Sequence, residues 1–247
     1  MKNIKLKVKS NEALSDNIYL MRLEGDLTEI KNPGEFINVK IPGYYLRRPF
    51  SVFDYASDYV EILYKVLGHG TKDLTDIKEG FVLDCLVGLG NGFDINKAKK
   101  PLLIAGGIGV APLYNLAKKF NEIGIKPTLL FGARSKTELI YPKKFDEVAN
   151  IVLCTDDGSL GYKGTALSYL IHNKVDFDYY YACGPIKMLE AIAQEYSNGC
   201  VSLEARMGCG FGACMGCSIN TTNGAKRVCK EGPVFEAKEV IFKWTLK

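Results

Sequence analysis

Histidine is nearly absent from this sequence, with only His69 and His172 among 247 residues. Imidazole-based metal sites and acid–base pairs therefore have little material to work with. Long apolar runs are missing as well. None approaches the roughly 18–20 residues a membrane span requires. The basic start from Met1 to Ser10 leads into no apolar stretch, so a soluble, unexported, cytoplasmic protein is expected. No charge of one sign dominates either. The 32 basic and 28 acidic residues leave +4 spread along the chain, too little for a nucleic-acid footprint and enough for phosphate-bearing small ligands. Repeats and low-complexity tracts do not occur. At 47% hydrophobic and 24% charged residues, collagen, coiled coil and wholesale disorder are excluded. The length suits two domains and a small appendage.

What is present is sulfur and glycine. Eight cysteines are too sparse for a disulfide scaffold, yet four of them crowd between Cys209 and Cys229, and that clustering points to metal. From Met1 to about Asn96 the chain reads as short strands: period-two runs around Ile18–Leu23, Phe36–Ile41 and Tyr59–Val66 predict a small antiparallel barrel. The segment closes on Gly88-Leu89-Gly90-Asn91-Gly92, either a flexible link or a close backbone approach. At Pro101 the character changes. Leu102 to Ala105 is a continuous apolar run, Gly106-Gly107-Ile108-Gly109 follows, and Leu113, Leu116, Ala117 and Phe120 recur at helical spacing up to Gly124. The unit repeats: strand 128–131, helix 141–149, strand 151–154, helix 166–172, strand 179–182, helix 187–195 and a last strand at 201–203. That alternation predicts a doubly wound parallel sheet.

The most specific motif is Cys209-x4-Cys214-x2-Cys217 with Cys229 eleven residues on. Three thiolates on one tight loop and a fourth returning from a distance match plant-type [2Fe–2S] spacing. Gly208, Gly210, Gly212 and Gly216 let the backbone curl and aim N–H groups at sulfur. A structural zinc site usually comes as two C-x2–4-C knuckles, and only Cys214/Cys217 makes one. The turn Gly106 to Pro112 suits a pyrophosphate at a helix N-terminus, with Pro112 in the first helical turn, although glycine also serves tight strand–helix packing. Arg47-Arg48-Pro49-Phe50-Ser51 lies between barrel strands, where an arginine and a serine can hold a diphosphate, or can equally be a solvated basic turn. Gly68-His69-Gly70-Thr71 is a glycine turn with a hydroxyl, or a plain loop. Cys183-Gly184-Pro185 opens a helix at the carboxyl end of a strand, where open α/β sheets bind ligands, while buried cysteine is commonly a small apolar filler.

In that order, Arg48-Pro49-Phe50-Ser51, Gly70-Thr71, Gly106 to Pro112 and Cys183-Gly184-Pro185 resemble the ferredoxin–NADP reductase superfamily over about Lys5 to Tyr196. With the cysteine loop added, the whole chain is similar to the family of electron-transfer subunits of dihydroorotate dehydrogenase B, of pyrimidine biosynthesis. The resemblance implies three domains: a FAD-binding barrel at 1–96, an NAD-binding α/β domain at 97–200 and a [2Fe–2S] domain at 201–247. It places FAD against Arg48, Pro49, Phe50 and Ser51, with Leu63, Tyr64 and Lys65 beside the flavin and Gly70 and Thr71 at its phosphates. It places NAD against Gly106, Gly107, Ile108, Gly109 and Pro112, with Cys183, Gly184 and Pro185 near the nicotinamide, and the cluster on Cys209, Cys214, Cys217 and Cys229. No catalytic acid or base is implied, and the flavin-stacking terminal aromatic of simple reductases has no match here. The implied partner is an FMN-containing dihydroorotate dehydrogenase catalytic subunit in a heterotetramer. The relay would run from dihydroorotate through the cluster and FAD to NAD+. A partner is also required on other grounds, because no domain remains for an organic substrate and nothing resembles eight βα units.

Two rival expectations stand beside this one. A flavin and iron–sulfur subunit of an NADH-dependent ferredoxin:NADP oxidoreductase or sulfide dehydrogenase shares the architecture, although such relatives often carry aspartate in place of the first cluster cysteine. A zinc-stabilised nucleotide-sensing module would use the same fold without redox chemistry. Gly132-Ala133-Arg134-Ser135 contains an arginine able to meet a 2′-phosphate, so NAD over NADP is an implication of the resemblance alone.

Overall fold

The computed structural model describes residues 1–140 and 142–243. Its first half is a closed antiparallel barrel of β1 (Lys2–Ser15), β2 (Ile18–Glu24), β3 (Phe36–Lys40), β4 (Arg48–Tyr55), β5 (Tyr59–Lys65) and, after the short helix α1 (His69–Leu74), β6 (Val82–Leu89), in the order β1-β2-β5-β4-β3-β6. Alternation builds it: Leu6, Val8, Met21, Leu23, Ile37 and Val39 point inward and are fully buried, and on β1 the intervening Lys5, Lys7 and Lys9 face solvent.

Two short-range expectations change here. Arg48 to Ser51 belongs to strand β4 rather than to a turn between strands. Proline is tolerated there because Pro49 pairs with Asn38 of β3 while the β5 side of β4 begins its register only at Val52. Gly68 to Thr71 is the start of α1, where the Thr71 Oγ1 accepts from Leu67 N at 2.9 Å and Gly68 N at 3.1 Å. A helix of six residues is too short to leave a periodic signature.

The second half is a seven-stranded sheet. Its elements are β7 (Pro101–Gly106), α2 (Ala111–Glu122), β8 (Thr128–Ala133), α3 (Pro142–Asp146), β9 (Asn150–Thr155), β10 (Tyr162–Lys163), α4 (Ala166–His172), β11 (Tyr179–Cys183), α5 (Ile186–Glu195) and β12 (Gly199–Ser202). The parallel order β10-β9-β8-β7-β11-β12 reverses direction between β7 and β11. Every residue of β7 is buried, because Leu103 and Ala105 face the core under α2 while Leu102 and Ile104 face the core under α4 and α5. The helix expected over 141–149 stops at Asp146, where the N–H groups of Val148 and Ala149 turn back to Phe145 O; Tyr141 lies outside the described residues.

The cysteine segment is sewn onto the same sheet. After the hairpin of β13 (Ser218–Thr221) and β14 (Gly224–Arg227), β15 (Val234–Glu236) joins the edge antiparallel to β12. The glycine run at the end of the barrel is an anchor, since Asn91 donates to Glu231 O and Val234 O, both at 3.0 Å, and accepts from Val234 N at 3.0 Å. Among the described residues no helix is long and apolar enough to cross a membrane.

Barrel and sheet meet through β4 and α2. Phe53 stacks on Tyr114 with ring centroids 4.6 Å apart, and burying a phenylalanine contributes about 1.5–3 kcal/mol. Beside it Asp54, 6% exposed, accepts from Asn115 Nδ2 at 3.0 Å, Lys118 Nζ at 2.6 Å and Tyr59 Oη at 3.2 Å. Replacing Asp54 by alanine strips three donors of their acceptor. Urea unfolding of Asp54→Ala should show about 1–3 kcal/mol lost, and Asp54→Asn, which keeps a carbonyl oxygen, should lose less.

Candidate functional site

Arg48-Pro49-Phe50-Ser51 of β4 and Leu63-Tyr64-Lys65 of β5 lie just beyond the paired stretch of these two strands, and both motifs line one wall of a cleft of about 250 Å³. Thr71 lines it too, while Gly70 is buried behind it, where a Cβ would stand 3.4 Å from Arg48 Nε. Arg48 Nη1 donates to Leu46 O at 2.6 Å, which leaves the rest of the guanidinium for a ligand. Tyr64 donates its hydroxyl to Asn11 Oδ1 at 2.9 Å and presents its ring edge to Phe50, and burial holds its phenol well above the ordinary range, in the neutral form. The opposite wall comes from Ile108, Ser202 to Ala205, Met207 and Pro233.

A second cleft, of about 570 Å³, opens at the carboxyl ends of β7, β8 and β11, around the reversal of strand order. In open α/β sheets that crevice is where ligands bind. Gly106, Gly107, Ile108 and Gly109 line it together with Gly184 and Pro185. Gly109 is required by close approach: a Cβ there would lie 2.4 Å from Cys183 O. Pro112 and Cys183 are not lining residues. Pro112 is buried in the first turn of α2, and Cys183, 2% exposed, keeps its thiol neutral because burial pushes it up.

The cleft has lining groups that the motifs did not reveal: Glu138, Asp156, Thr165 and Glu204. Asp156, directly after β9, carried the only local hint, a polar residue at a strand's carboxyl end. Arg134 is held by Glu138: Nε lies 3.0 Å from each carboxylate oxygen and Nη2 bonds Oε1. Hydrogen bonding from Arg134 keeps the Glu138 carboxyl below its usual range, so it is ionised near neutrality. Lys65, Ile108 and Glu204 line both clefts, which are therefore neighbours.

The four clustered cysteines form two close pairs. In one, Cys209 Sγ accepts from Ala213 N at 3.2 Å and Cys214 N at 3.4 Å, and Cys214 Sγ accepts from Cys209 N at 3.4 Å. In the other, Cys217 and Cys229 are 3% and 2% exposed, and Cys217 Sγ accepts from Cys229 N at 3.4 Å. Burial would raise the Cys209 thiol, but the N–H groups of Cys214, Phe211 and Ala213 and the Cys214 side chain outweigh it and hold it at about 6. Burial first, and then the nearby Cys217, push Cys229 up to about 12. Two thiol pairs with inward N–H groups fit a centre of two irons, each taking two thiolates.

The comparisons with known proteins can be set beside this geometry. Residues 204–241 match the family described as the iron-sulfur cluster binding domain of dihydroorotate dehydrogenase B. The chain is 38% identical over 249 residues to the dihydroorotate dehydrogenase B (NAD(+)) electron transfer subunit of Fusobacterium nucleatum, covering 94% of this chain and 96% of that one. It is 39% identical to the subunit of that name from Caldanaerobacter subterraneus, covering 97% and 98%. Among solved structures it is similar to an NADH-dependent reduced ferredoxin-NADP oxidoreductase described in connection with flavin-based electron bifurcation, at TM-score 0.88 and 27% identity, covering 96% of this chain and 90% of that one. Phthalate dioxygenase reductase shares the fold at TM-score 0.62 and 21% identity over 78% of this chain and 63% of that one.

Because the position tolerates no Cβ, Gly109→Ala must push the turn away from β11. Titration calorimetry with NAD+ should show binding weakened on the order of tenfold or more.

Proposed function

The chain belongs to the family of electron transfer subunits of dihydroorotate dehydrogenase B, and from that premise we propose that it passes electrons between a dihydroorotate-oxidising FMN subunit and NAD+, holding a [2Fe–2S] cluster and FAD. The observation that carries this reading is the shared boundary at Lys65, Ile108 and Glu204, which line both the barrel cleft and the sheet cleft and so set the two side by side. When bound, flavin supplies the exchange between one-electron and two-electron carriers.

This chain's own residues bind, orient and exclude water. In this reading Arg48 to Ser51 and Leu63 to Lys65 hold the flavin against the barrel. The turn Gly106 to Gly109, with Gly184 and Pro185, brings backbone close to the dinucleotide, and Cys209, Cys214, Cys217 and Cys229 hold the cluster. The exposed side chains of Phe211 and Met215 on the cysteine loop support docking of the catalytic subunit there, in a heterotetramer. A reducing cytoplasm suits the half-buried Cys209 and exposed Cys214.

The paired thiols weigh against a zinc-stabilised sensor. The rival ferredoxin:NADP oxidoreductase reading shares the fold at 27% identity, whereas relatives of the proposed function reach 39%. Mixing the chain with its FMN partner and assaying dihydroorotate-dependent NAD+ reduction separates the two, and a correctly assembled but silent complex would remove the pyrimidine assignment. Cys209→Ala or Cys217→Ala should abolish that activity and the iron content while leaving NADH oxidation with artificial acceptors intact. Equal loss of both activities would mean that the cysteines serve folding.

In this reading the Arg134–Glu138 pair favours NAD over NADP. A 2′-phosphate approaching Arg134 meets an ionised carboxylate already bound to it, with Asp156 lining the same cleft. Glu138→Gln should therefore lower the KM for NADPH by about fivefold, the size expected for an exposed ion pair, and leave the KM for NADH nearly unchanged.

A further inference from the structure

Asn38 is a fully buried polar residue, 0% exposed, on β3. On one side its backbone pairs with Pro49 of the β4 motif, and Phe36, two positions back, lines the barrel cleft. On the other side its Nδ2 donates to the Cys209 carbonyl oxygen at 3.2 Å, a contact between residues 171 apart in sequence. The contact depends on Gly210. That residue has φ +78°, and a Cβ on it would fall 2.2 Å from Asn38 Nδ2.

The amide is only half used. Asn38 Oδ1 has no hydrogen-bond partner among the described residues. Turning the amide over would set Oδ1 against the Cys209 carbonyl, acceptor against acceptor. A buried carbonyl left unpaired costs stability. A residue that breaks a packing rule while gripping one particular peptide is spending stability on geometry.

We propose that Asn38 is a positioning residue that pins the Cys209 corner of the cysteine loop to the flavin-side barrel and so fixes the orientation of cluster and flavin. The inference rests on the reading of Cys209 as a cluster ligand and of the β4 cleft as the flavin site. Holding the Cys209 carbonyl fixes the plane of the Cys209–Gly210 peptide. The loop N–H groups of Ala213 and Cys214 that reach Cys209 Sγ then leave from a set position. Partners behind a metal ligand act in this way, by orienting the ligand rather than touching the metal.

Asn38→Leu and Asn38→Ala, made in the full chain, test this. A merely structural residue would lower the melting temperature when replaced and leave the cluster's spectrum as it was. The proposal expects Asn38→Leu, which removes the donor to the Cys209 carbonyl together with the unpaired Oδ1, to retain iron and acid-labile sulfide. The electron paramagnetic resonance spectrum of the dithionite-reduced cluster should shift, and reduction of the cluster by NADH should slow by about tenfold, with flavin reduction by NADH unaltered. Asn38→Ala should show the same spectral shift and slowing, so the test survives if the leucine variant fails to fold. Wild-type spectra and rates in either folded variant overturn the proposal. Wild-type protein without iron and sulfide overturns the underlying cluster reading instead.

Discussion

The clamp between β4 and α2 is the constraint on which the rest depends. Electron and hydride transfer both demand fixed distances, and here the two nucleotide-sized clefts lie on different domains that must hold still relative to each other. The Phe53–Tyr114 stack supplies apolar contact, and Asp54 collects donors from Asn115, Lys118 and Tyr59 around it. Lys144 adds to the seam by reaching Glu61 at 3.2 Å and lying over the Phe53 ring. A buried carboxylate is tolerable only when its hydrogen-bonding capacity is filled. The network is therefore specific to one docking geometry, which a purely apolar seam would not be.

With that geometry set, function is carried by backbone more than by side-chain chemistry. The sheet cleft is lined by glycines and helix starts, and the thiols receive N–H groups rather than charged partners. Negative charge on phosphate or on thiolate is stabilised by oriented amides that need no proton exchange. Two histidines therefore suffice. Of the acidic groups lining the sheet cleft, Glu138 holds Arg134.

Relatives at 36–39% identity span nearly the whole chain, and the likeness to the solved oxidoreductase covers 96% of it. In this chain the edge strand β15 and the Asn91 contacts tie the cysteine segment to both other parts, so the sulfur loop is not a tethered appendage but a wall of the same body.

Local chemistry was legible in the amino-acid order. Apolar runs marked β7 and β11 because a strand covered on both faces must be apolar throughout, and the spacing of Cys209, Cys214, Cys217 and Cys229 marked a metal loop because thiolates must reach it from one tight turn. Short or charged elements were not legible. The six-residue α1, the β13–β14 hairpin and the edge strand β15 carry too few residues for periodicity to emerge. Nor did the sequence tell that Arg48 to Ser51 lies within a strand, that Glu138 occupies Arg134, or that Asn38 reaches Cys209. Each of those facts depends on partners far apart along the chain or on which flank of a strand is left unpaired, and such pairings exist only once the barrel, the sheet and the loop have packed. The sequence by itself determined which backbone turns and thiols are available; packing alone decided that they face one another.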